Sequence, residues 1–121
     1  MTREEVSERV RAELDSFRYT EHTREEAGTL GTPWSASRVA GEMELLKKAL
    51  VTPVLVQVVD FDTVKSEKRL AKWWLVAQAP GMNLVLYDPE FDEFALATGD
   101  REDSPESVCV RGDLCTTFMA R

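Results

Sequence analysis

Apolar positions along this chain follow two periods, and the period changes near residue 50. Val6, Val10, Leu14 and Phe17 recur every three or four residues with charge between them, which predicts a helix over residues 3–17. Thr2-Arg3-Glu4-Glu5 precedes them in the form of a capping box. Trp34, Val39, Met43, Leu46 and Leu50 lie near one face of a second predicted helix. Thr32-Pro33 opens it, because Thr can cap and Pro at the first helical position leaves no amide unpaired. Pro53 stops it from running much past Leu50.

From residue 54 the pattern is that of strands. Val54–Phe61 is β-branched and almost continuously apolar, as expected of a central strand covered on both faces. Residues 62–70 read as a polar connection, and Lys65, Lys68, Arg69 and Lys72 in and just after it make a basic cluster that the residue types alone place in solvent. Residues 72–98 then read as three strands joined by turns at Pro80-Gly81 and at residues 88–92. A last strand at 107–111 and a helix from Leu114, capped by Asp113, complete the chain. This order predicts one α+β domain over residues 1–121. Two N-terminal helices pack on a mostly antiparallel four- to five-stranded meander sheet, followed by a short C-terminal helix.

Strand parity then divides the meander into two faces. Trp73, Leu75, Ala77 and Ala79 share one with Leu84 and Leu86, and a short second turn adds Phe94 and Leu96. This face is the expected core, covered by the two N-terminal helices. Trp74, Val76, Val85 and Tyr87 share the other face with Lys72 and Gln78, while Ala95 and Ala97 follow from the same parity. Trp74 falls beside or diagonal to Tyr87. Aromatic residues on such a mixed face suit a protein interface, unless the C-terminal helix covers them through Leu114, Phe118 and Met119. The expected partner-binding residues are therefore Trp74, Val76, Val85 and Tyr87, aided by the acidic turn residues Asp88, Glu90 and Asp92.

Composition narrows the class of partner. Of 121 residues, 15 are Lys or Arg and 22 are Asp or Glu, a formal net charge of -7. That balance argues against nucleic acid and against an anionic membrane, and it suits a basic protein partner. A homodimer is the next option. The charged N-terminus and the absence of a long apolar run predict a cytoplasmic protein.

Catalytic, cofactor and metal motifs are missing from the sequence. His22 is the only histidine, and Cys109 and Cys115 match no zinc spacing. Gly28–Thr32 lacks the Lys of a phosphate-binding loop, and no nucleophile elbow surrounds any serine. The acids at 88–93, with Asp60 and Asp62, lack the spacing of a calcium loop. Arg111-Gly112-Asp113 reads as a strand end leading into a helix cap. In size and charge the chain is similar to bacterial immunity proteins and secretion chaperones. The expected function is thus a small non-enzymatic interaction module. The alternative is a small-molecule-binding domain or minor enzyme, with a pocket between the sheet and the 18–32 loop lined by Tyr19, His22, Trp34 or Asp88.

Overall fold

The computed structural model describes residues 1–19, 34–62 and 65–121. Helix α1 spans Arg3–Ser16, and the capping box forms: the Thr2 hydroxyl accepts from the Glu5 amide at 3.2 Å, and the Thr2 amide donates to Glu5 Oε1 at 3.0 Å. Helix α2 spans Ala36–Ala49 and starts later than expected. Ser35, not Thr32, precedes its first turn, with Oγ accepting from the Arg38 amide at 3.1 Å. Its last turn carries Lys47 and Lys48, which suit the negative end of the helix dipole.

Five strands follow: β1 (Leu50–Asp62), β2 (Glu67–Ala79), β3 (Asn83–Asp88), β4 (Glu93–Thr98) and β5 (Glu106–Gly112). Helix α3 (Leu114–Met119) closes the chain, and Asp113 caps it by accepting from the Thr116 amide at 3.0 Å. The fold is α+β, and consecutive strands pair antiparallel. The sheet also curls until β5 meets β1, giving a closed barrel in the order β1-β2-β3-β4-β5. Closure rests on one parallel bridge, Val59 to Glu106, with the Val59 amide donating to the Pro105 carbonyl at 2.9 Å.

Both sequence-derived faces need correction, for reasons of parity. The first meander turn holds three residues, so Ala79 pairs with Asn83, and Gly81 and Met82 adopt positive φ of 79° and 59°. A bulge between Leu75 and Ala77 then shifts the register back. Ala77 and Ala79 therefore join Val76 and Val85, not Trp73. The second turn holds four residues, and Phe94 pairs with Tyr87. Phe94 and Leu96 thus lie with Val85 and Tyr87, while Ala95 and Ala97 lie with Trp73.

The expected core is inverted as well. Trp73, Leu75, Leu84 and Leu86 face the barrel interior with Val58, and none of the described helices covers them. The small side chains of Ala95 and Ala97 leave room for the Trp73 indole inside this narrow barrel. The helices pack on the outside instead, where Val6, Val10, Leu46, Leu114 and Phe118 meet Val76, Val85, Tyr87 and Phe94. Among the described residues, no helix is long and apolar enough to cross a membrane.

Candidate interaction surface

The helices cover most of the face that the sequence nominates for a partner. Val76, Val85 and Tyr87 are buried beneath them, and of the proposed aromatic anchors only Trp74 keeps part of its surface exposed. Tyr87 pairs directly with Trp74 across the ladder and with Phe94 on its other side, ring centroids 5.0 Å apart. Its hydroxyl donates to Asp92 Oδ1 at 2.6 Å. Burial, then this bond to a carboxylate, pushes the phenol up to about 12.

The acidic turn is also partly spent on the fold. Asp88 is buried, where Arg111 donates to its Oδ2 and the Glu90 amide donates to its Oδ1 at 2.9 Å. Asp92 takes a second bond from Arg9 Nε at 2.9 Å, which ties α1 to the β3–β4 turn. The Tyr87 hydroxyl, then Arg9, holds the Asp92 carboxyl below its ordinary range. Glu90 remains exposed. Asp88 and the three buried sheet residues are therefore parts of the fold, not of an open docking surface.

The open surface lies one strand away. β1 and β2 form a ribbon longer than expected, because β2 begins at Glu67 inside the stretch read as a connection. The register sets Phe61 beside Lys68, Val59 beside Leu70, Gln57 beside Lys72, and Leu55 beside Trp74. The alternate row, with Asp60 beside Arg69 and Val56 beside Trp73, faces inward. The expectation that β1 is covered on both faces therefore fails. Leu55 is 50% exposed, Phe61 39% and Leu70 67%. Trp74 stands at the border, packed on one side against the helix-covered cluster.

The ladder thus gathers large apolar side chains into one row. Lys68-Arg69-Leu70-Ala71 runs polar, polar, apolar, apolar, so no two-residue alternation marked it as strand. Its charge made it read as a loop.

A second cluster sits where the barrel closes. There Asp60, Arg69, Phe91, Ala95, Ser107, Cys109 and Arg111 line a cavity of about 290 Å³, with Phe61 at its border with the ribbon face. Arg111 donates to Asp88 and, through Nε, to Glu93 Oε2 at 2.9 Å. Its guanidinium lies over the Trp73 ring at 4.9 Å and near Phe91 at 5.7 Å. Asp60 accepts from Ser107 Oγ at 2.8 Å and from Arg69 Nε at 3.1 Å. Both buried carboxylates, Asp60 and Asp88, are thus occupied on each oxygen. The cluster reads as an ionic plug at one end of the barrel.

Of the residues nominated for a small-molecule pocket, Tyr19 and Trp34 meet and line one cavity with Thr116, Met119 and Ala120, and Asp88 is not among its lining residues. The Tyr19 hydroxyl donates to the Trp34 carbonyl near the C-terminal end of α3, far along the chain from the buried Asp88 network. His22 lies outside the described residues. Among the described residues, no group of His, Cys, Asp and Glu is arranged to hold a metal ion. Arg111-Gly112-Asp113 splits between the plug and the α3 cap. No protein-family model matches the chain, and no curated protein or solved structure shows significant similarity to it.

Proposed function

We propose that this chain is a non-enzymatic protein-binding module whose contact surface is the outer face of the β1–β2 ribbon. One observation carries the reading: Leu55, Phe61 and Leu70 stand exposed on the outward row of one regular ladder, with the edge of Trp74 beside Leu55 and the Gln57–Lys72 pair between. Folded domains seldom leave contiguous apolar surface open without a use. A rigid two-stranded ribbon presents such residues with little ordering cost on binding. In the acidic turn, Asp92 serves the fold through Tyr87 and Arg9, and Glu90 is an exposed carboxylate outside the ladder.

The small-molecule reading has less support, because Asp88 is bound by Arg111 away from the Tyr19–Trp34 contact and the polar atoms of the seam cavity largely satisfy one another.

Site-specific photo-crosslinking in the cells that make the chain tests the proposal. A crosslinking residue at Leu55 or Leu70 is expected to yield a discrete adduct with another polypeptide. The same residue at exposed Gln78 is expected to yield none. Equal labelling from all three positions, or none from the ribbon, would count against it.

A further inference from the structure

We infer that the partner taken by this face is an acidic protein segment with interspersed apolar side chains, a refinement that rests on the interaction reading above. The chain as a whole carries a net charge of -7, which favours a basic partner. The ribbon face has the opposite local sign. Its outward positions include Lys68 and Lys72 and no carboxylate. The acids Asp60 and Glu67 fall on the inward row, opposite in parity. Lys68 is neutralised from the side by Glu106 at 3.0 Å, whereas Lys72 makes no ion pair among the described residues. Lys72 lies between Leu70 and Trp74 on its strand, so a carboxylate placed over it would bring its neighbours onto apolar surface.

Two other occupants fit less well. A second copy packed face to face would bring its own Lys72 close to the same lysine, and the Glu106 carboxylate beside each face is already taken by Lys68. Nucleic acid would gain little counterion release from two lysines. The net negative field would oppose a polyanion further. A protein segment with few, placed carboxylates avoids that cost, since it needs charge only at the lysines.

The test uses the intact chain, isotope-labelled, and short soluble synthetic peptides. One peptide combines Leu with Glu, one Leu with Lys, and one Leu with Ser. Oligouridylate serves as the nucleic-acid probe. The Leu/Glu peptide is expected to shift the amide resonances of Leu55, Phe61, Leu70 and Lys72, with affinity falling as salt rises. Lys72→Glu is expected to weaken that binding roughly threefold at low salt, the range of an exposed ion pair. Circular dichroism of the variant checks its fold, and the salt series on the unaltered chain gives a readout that needs no variant.

Equal binding of the Leu/Ser peptide would overturn the charge inference and leave the interaction reading standing. Tighter binding of the Leu/Lys peptide would overturn it in favour of a basic partner. Oligouridylate shifting the same resonances would overturn it in favour of nucleic acid. A dimer in light scattering that Leu70→Asp dissolves would overturn it in favour of a second copy. Absence of binding by all probes would overturn the inference, with the crosslinking result deciding separately whether the face binds protein.

Discussion

Trp73 and Trp74 are neighbours in sequence and opposites in setting. Trp73 points into the barrel, where Leu75, Leu84 and Leu86 surround it. Trp74 points outward at a boundary: toward β3 the outer sheet surface lies under three helices, and toward β1 it lies open. Ladder chemistry is the same on both sides of that boundary. What differs is the cover. Tyr87 and Val85 are buried because Val6, Leu46 and Phe118 reach them, while Leu55 and Leu70 are exposed because no described helix extends that far. Parity decides which way a side chain points, and packing decides whether pointing outward means exposure.

The largest expected effect comes from the covered side. Phe94 is fully buried between Tyr87 and the helices, and Arg9 of α1 lies over its ring at 5.5 Å. Phe94→Ala removes that packing and leaves a cavity under three helices. It should lower the free energy of unfolding by about 3–5 kcal/mol, measured by urea denaturation. A loss below about 1 kcal/mol would mean that the helices do not depend on this contact, and the contrast between the two sides would weaken.

Next comes the plug. Arg111→Met keeps the bulk beside Trp73 and removes the charge that pairs with Asp88, a carboxylate only 1% exposed. Leaving a buried charge without its partner is strongly destabilising, about 3 kcal/mol at the low end of such cases. Adding Asp88→Asn should recover part of the loss in a double-mutant cycle. No recovery would mean that Arg111 acts through its stacking on Trp73 and Phe91 alone.

How much of this could be read from the sequence divides along the same line. The helices, their caps at Thr2 and Asp113, and the strands around Trp74 follow from local pattern, since each depends on residues within a few positions. The Trp74–Tyr87 pair was legible for the same reason. The burial of Tyr87 was not, because it depends on the number of residues in two turns. A third residue in the first turn and a bulge near Val76 moved Ala77 and Ala79 to the helix side. A fourth in the second turn exchanged Phe94 and Leu96 with the alanines. Barrel closure was hidden too, because it rests on one bridge between Val59 and Glu106, far apart in the chain. The exposed ribbon face was missed because Glu67–Leu70 carries charge that a strand tolerates when one row faces water.

Alkaline titration sharpens the contrast without altering a residue. Burial pushes the Cys115 thiol from its ordinary 9.0 up to about 12, aided by the nearby Asp113 and Glu13 charges. Tyr87 moves from 10.0 to about 12 for the reasons given above. Both groups hold their protons more tightly when folded than when unfolded. Their contribution to stability is therefore complete below pH 9 and declines as pH rises from 9 toward 12. Denaturation midpoints should fall across that window. Cys115→Ala should remove the part that begins near 9 and leave the part that begins near 10. A midpoint flat from 9 to 12 would show that neither group is sequestered by the helices.

The smallest expected change is the most informative about purpose. Leu70 is two-thirds exposed, so Leu70→Thr, which keeps a strand-compatible side chain, should alter stability by less than about 0.5 kcal/mol. Taken alone, such neutrality says that folding does not require a leucine there. Paired with loss of the crosslinked adduct, it separates binding from folding at a single position, which no substitution on the helix-covered side can do. A stability loss of 2 kcal/mol or more, on the scale of a buried leucine, would place Leu70 in a packed environment. The ribbon face would then belong with the covered side, as a surface closed by the chain itself.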